Sequence, residues 1–152
     1  MTSARSASPR STAAHHPAQR LAAAVGAVFL VVAVLGFVPG VTTNLDRLDF
    51  AGHESGALLL GLFAVSILHN LVHALFGVAG LLLARTPGGA VGYLVVGGVV
   101  YLVLWLYGMV VNHGSDANFV PVNTADNWLH LALGVAMVTL GLVTRPAVRR
   151  RV

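Results

Sequence analysis

The sequence predicts an all-α integral membrane protein, a four-helix bundle made of two similar helical hairpins in a parallel internal repeat. Three observations predict it. Of 152 residues, 57% are hydrophobic and only 9% charged, against about 25% charged in a soluble domain. The apolar residues gather into stretches long enough to cross a bilayer, separated by polar or Pro/Gly segments. Two of these stretches carry the same polar cluster, His69-Asn70-x-x-His73 and Asp126-Asn127-x-x-His130.

The elements follow in order. Residues 1–20 are rich in Ser, Ala, Pro and Arg, and read as a disordered cytoplasmic tail. The His15-His16 pair in that tail is a weak metal signal and reads as a solvated stretch. A four-helix transmembrane domain then covers 21–144, with spans at about 21–38, 65–84, 91–111 and 124–143. The first, Leu21 to Val38, ends at Pro39-Gly40. It is long for the apolar region of a signal peptide and no small-x-small site follows it, so a retained helix is expected.

Val41 to Gly56 is polar, with Asp46, Arg47, Asp49, His53 and Glu54. Ala57 to Ala84 is then apolar for 28 residues apart from the first cluster. One helix of that length would run ~42 Å, more than the ~30 Å hydrocarbon core requires. Residues 57–64 are therefore expected to be interfacial or re-entrant, with Ser66 capping the span. Arg85 to Gly89, "RTPGG", is a tight turn. Asn112 to Asn123 is a polar loop, and residues 145–152 form a basic cytoplasmic tail.

All nine basic residues are Arg. With abundant Ala, Val and Gly, this usage points to a GC-rich bacterial genome. The net charge of +4 does not indicate nucleic acid, because all the Arg residues but Arg47 sit in the terminal segments and the middle turn at Arg85. That placement puts both termini in the cytoplasm of a bacterial inner membrane, by the positive-inside rule. Both polar clusters then lie near the outer ends of their helices. The expected partners are the lipid bilayer and a second copy of the chain or another membrane protein. The absence of Cys excludes disulfides, thiolate metal sites and cysteine catalysis.

The repeat is visible as constant offsets. His73 and His130 are 57 residues apart, and the same offset carries Val65 to Val122, Asn70 to Asn127, Gly77 to Gly134, Val78 to Val135 and Ala79 to Ala136. His69 falls on Asp126 and Ser66 on Asn123. The first and third spans match at an offset of 72, with Gly26 on Gly98, Phe29 on Tyr101, Leu30 on Leu102 and Gly36 on Gly108. Each copy holds two spans, so both have one orientation about a pseudo-two-fold axis along the membrane normal. That axis brings His73 and His130 to one depth.

The segments "GFVPGVTT", "LGLFAVSILHNLVHALFGVAGLLLAR" and "NFVPVNTADNWLHLALG" resemble a family of small bacterial membrane proteins, domain of unknown function 4383. The likeness covers roughly Leu21 to Thr144 and rests on the two His/Asn elements. It implies four membrane helices and no activity.

Ionisable and amide side chains inside a membrane face the bundle interior or a wet cavity. Small residues beside the clusters, Gly77, Gly80 and Ala84 on one helix and Gly134 and Gly141 on the other, are expected to turn both clusters toward the seam. Ser66, Asn70, His73, Asn123, Asn127 and His130 would then form a structural polar network. Ser66 and Asn123 would be its helix caps, and Asp126 a capping-box acid. A second reading makes His69, His73, Asp126 and His130 ligands of zinc or another transition metal, since two His at i, i+4 share a helix face. A haem between His73 and His130 is a variant of it. A third is a small transporter or proton relay acting as an oligomer. No cofactor is required by the first reading, and no nucleophile–base pair or phosphate loop suggests an enzyme. The expected function is that of a non-enzymatic structural or accessory membrane component. Tyr93 and Trp128 are expected in interfacial aromatic belts.

Overall fold

The computed structural model describes residues 16–145. The chain is mostly helical, as expected. The helices are α1 (Pro17–Leu35), α2 (Ile67–Leu83), α3 (Pro87–Val110) and α4 (Thr124–Val143). Three of them, α1, α3 and α4, are long and apolar enough to cross a membrane, while α2 is an apolar helix of 17 residues.

Each helix begins on a polar cap, because its first N–H groups have no partner inside the helix. In α1, the His16 ring accepts from Ala18 N–H, and the Gln19 side chain accepts from His16 N–H. This capping box, with Pro17 in the first turn, starts α1 four residues before the expected Leu21. Residues 17–20 are thus helix rather than tail. The Gln19 amide also donates to the carbonyls of Ala84 and Arg85 at the end of α2. The α1 helix closes at Gly36, short of Pro39-Gly40.

The α2 start is the most completely satisfied. The N–H groups of Ile67 and Leu68 donate to the carbonyls of Asp49 and Phe50 in the preceding loop. The His69 N–H donates to the Ser66 hydroxyl. Thr86 caps α3, with Pro87 behind it. At α4, Asn123 and Asp126 form the expected capping box.

Residues 57–64, expected to be interfacial or re-entrant, are not part of α2 and carry two short strands. Leu58–Leu59 (β2) and Phe63–Ala64 (β3) form a hairpin, and Thr42–Thr43 (β1) pairs with β2 to complete an antiparallel sheet in the order β1-β2-β3. The turn places Leu60 and Gly61 in left-handed backbone, at φ 55° and 67°. Gly61 tolerates that conformation and Leu60 is strained by it. The apolar run was ambiguous because a short apolar strand and a buried helical turn share the same composition.

The helices pack as two pairs. The α1–α2 and α3–α4 contacts are extensive, α1 crosses α3, and α1 meets α4 only sparsely. Glycines set both close approaches. A Cβ added at Gly26 would lie 2.9 Å from the Gly77 carbonyl, and one at Gly98 would lie 2.9 Å from the Gly134 carbonyl. A Cβ at Gly77 would strike Leu30, and one at Gly134 would strike Leu102. Gly26, Gly77, Gly98 and Gly134 therefore serve each helix pair internally, while Gly80 also faces Tyr93 of α3 across the seam between pairs. Gly36 and Gly108 each leave room for an amide side chain, Asn70 and Asn127 respectively.

Polarity is inverted relative to a soluble protein. Ser66 and Asn70 are wholly buried, and His69, Asp126, Asn127 and His130 nearly so. Outward lie Leu75, Val96, Val103, Val135 and Val143. Trp128 is exposed as an aromatic-belt residue would be, but Tyr93 is buried against Phe76 and Gly80.

The glycine contacts make a direct prediction. Gly26→Ala and Gly98→Ala each force a methyl into a neighbouring backbone, and each should cost about 1–3 kcal/mol in unfolding measured in mixed micelles. Gly92→Ala, with nothing within 4 Å of the added methyl, should be neutral or mildly stabilising.

Candidate functional site

The three histidines and Asp126 of the two clusters converge around one cavity. It has a volume of about 410 Å³ and lies between α1 and α4, where these helices part. Val28 and Val32 of α1 and Leu129 and Leu133 of α4 form its flanks. The β2–β3 hairpin covers it with Leu59, Leu60 and Phe63. His69, His73, Tyr101, Asp126 and His130 also line it.

An aromatic ladder forms its inner wall. Phe29 and Tyr101 stack with ring centroids 5.4 Å apart and an interplanar angle of 19°. His73 lies 5.5 Å from Phe29, and His130 lies 5.3 Å from Tyr101. His69 meets His73 edge-on at 4.5 Å. Each of the two histidines thus packs on the aromatic ring of its own helix pair. In the sequence Phe29 and Tyr101 stand out only as a matched pair of the repeat, because an aromatic at helical spacing looks like core.

The six residues of the expected polar network divide in two. Ser66 and Asn123 are caps, as anticipated. Asn70, His73, Asn127 and His130 form no hydrogen-bonded seam among the described residues. Both amide atoms of Asn70, the side-chain oxygen of Asn127, and the Nδ1 atoms of His69, His73 and His130 are buried without a protein partner. The amides instead fill the space that Gly36 and Gly108 leave open. Packing against glycine has replaced pairing.

The four candidate metal ligands are also divided. Oδ2 of Asp126 accepts from the N–H of Ala64 at 2.9 Å and of Asn123 at 3.0 Å. Its carboxylate is turned to backbone, clasping β3 onto the start of α4. The Asn123 amide adds a bond to the Leu62 carbonyl. His69 stands across from this clasp, with its ring near the carbonyls of Pro121 and Ala64. Among the described residues, no group of three His, Asp or Glu side chains is arranged to hold a metal ion.

One further residue organises the site from a distance. The buried Asn118 side chain donates to the carbonyls of His113 and Val122 and accepts from Val122 N–H. It folds the α3–α4 loop so that Pro121 and Val122 reach the cluster. The loop also meets the one before α2, through Gly52 N–H to the Phe119 carbonyl and a 3.9 Å contact between His53 and Asp116. A lone Asn in a polar loop carries no signal that would have marked Asn118 in advance.

The family model described as Domain of unknown function (DUF4383) matches residues 19–143. The chain belongs to that family. No curated protein and no solved structure matches it. The DUF4383 match takes in both polar clusters, the β2–β3 hairpin and all but the first two residues of α1.

Removing the Asp126 carboxylate should release the hairpin. Asp126→Ala leaves two buried N–H groups without an acceptor and should cost at least about 2 kcal/mol, with faster amide exchange at Ala64. Thr124→Ala, on the exposed side of the same turn, should change neither.

Proposed function

We propose that this protein is a four-span, non-enzymatic accessory component of the bacterial cytoplasmic membrane, with both termini inside and the cavity near the outer face. The observation that carries this is the inverted polarity: aliphatic side chains outward, with imidazoles, amides and a carboxylate inward. No water-soluble protein would gain by that arrangement, and a hydrocarbon solvent favours it. At 17 residues α2 is ~26 Å long, within the range that spans with little tilt. Arg85 follows α2 directly, while the acids Asp46, Asp49 and Glu54 sit in the loop at the other end of the bundle. A non-enzymatic role is favoured by the commitment of the reactive groups. The Asp126 carboxylate is held by backbone, and the Ser66 hydroxyl is buried as a cap.

The spans form two copies of one hairpin in this reading. Supporting it, contacts within the first pair recur in the second at the offsets of 57 and 72 seen in the sequence. Gly26 meets Gly77 as Gly98 meets Gly134, Gly36 meets Asn70 as Gly108 meets Asn127, and Phe29 meets His73 as Tyr101 meets His130. The main polar substitution between the clusters, His69 for Asp126, also has a physical reason. Asp126 reaches across to Ala64, which has an N–H to give. His69 faces Pro121, which stands at the equivalent place and has none. A carboxylate there would lack that donor, whereas an imidazole N–H can face a carbonyl.

Two experiments test these statements. The chain has no native Cys, so single cysteines report topology cleanly. With a membrane-impermeant maleimide on intact cells, Asp116→Cys should label and Arg85→Cys should label only after lysis. The reverse pattern would invert the proposed orientation. For the repeat, His69→Asp should destabilise, and Pro121→Ala should partly rescue it by restoring an N–H. A coupling of about 1 kcal/mol or more is expected, and additive effects would remove this support.

A further inference from the structure

We propose that the cavity between α1 and α4 binds a neutral, membrane-soluble amphiphile, an apolar chain or ring system carrying one hydroxyl or carbonyl head. The proposal rests on the membrane reading above. The volume of about 410 Å³ falls within the roughly 300–1,000 Å³ of small-molecule sites. Its mouth lies at Val28, Leu60 and Leu129, all exposed on the outer surface of the bundle. A ligand therefore reaches it sideways from the bilayer.

The cavity wall is almost wholly apolar at its surface, and the imidazoles of His69, His73 and His130 stand at its inner end. His69 and His130 are each 5% exposed, and each has a buried Nδ1 with no protein partner, as does His73. A neutral imidazole offers one donor and one acceptor nitrogen. A hydroxyl both donates and accepts, and a carbonyl accepts, so either head can satisfy these rings. A charged head is disfavoured. No Arg or Lys lines the cavity, and Oδ2 of its only carboxylate, Asp126, accepts from two backbone N–H groups. An ionic head would be buried without a counter-charge. The apolar flanks then take the rest of the molecule.

The full chain in phosphatidylcholine vesicles tests this with a diazirine-bearing hexadecanol, beside the headless diazirine hexadecane and the charged diazirine hexadecanoate. The alcohol should give saturable photolabelling of the segments around Leu59–Phe63 or Leu129–Leu133, competed by unlabelled hexadecanol. The other two probes should label these segments weakly. Val28→Trp, on the exposed rim, should reduce the labelling roughly tenfold by closing the mouth. His73→Leu with His130→Leu should weaken apparent affinity roughly fivefold or more by removing hydrogen bonds to the head.

Equal labelling by the headless probe, or labelling indifferent to Val28→Trp, would overturn the proposal. So would a one-to-one zinc ion retained by the wild type and lost with the two histidines. Topology is scored separately by cysteine accessibility, so a correct orientation with no saturable labelling counts against the cavity alone.

Discussion

The structure depends first on glycine contacts between paired helices. Gly26 against Gly77 and Gly98 against Gly134 bring backbones close enough that a single added methyl would meet a carbonyl. In water such helices would be drawn together by burial of their aliphatic side chains. Here those side chains face outward, so close van der Waals packing has to hold each pair. The choice of small residues at the contact leaves the larger side chains for the outside. It also determines where the pairs separate, since α1 and α4 diverge and leave the cavity between them.

The second constraint is that backbone ends need partners. The loop before α2 gives the carbonyls of Asp49 and Phe50 to its first turn, and Asp126 takes the Ala64 N–H. These bonds tie the loops at this end of the bundle to helix starts, so the small sheet is a fixed cover over it. Asn118 does the same for the α3–α4 loop. The imidazoles are left beneath this cover with ring nitrogens that the protein does not use. A chain that satisfies its backbone this thoroughly but leaves three imidazole Nδ1 atoms buried and unmet fits the binding role proposed at that point.

Much of the fold could be derived from sequence because its signals are long and periodic. Helix count, capping by Ser66 and Asn123, and the burial of His69, His130 and Asn127 all follow from apolar span length and the cost of polar groups in hydrocarbon. The misreadings have local causes. The α1 start was hidden because His16 and Gln19 act as caps inside a segment of tail-like composition. Residues 57–64 were indeterminate because four-residue apolar runs do not distinguish strand from helix. Spacing gives a helix face but not the neighbour it meets, so the sequence does not separate Gly77, packed within its own pair, from Gly80, which also meets α3. The Phe29–Tyr101 stack was out of reach for the same reason: it depends on how α1 crosses α3.

In the proposed repeat, two equivalent hairpins pack by the same contact. Oxidative cross-linking in native membranes tests it, using the Cys-free background. The pairs Leu30→Cys with Gly77→Cys, and Leu102→Cys with Gly134→Cys, should both form disulfides readily, while Leu30→Cys with Gly134→Cys should not. Efficient cross-linking of that last pair, with failure of the first two, would contradict the account.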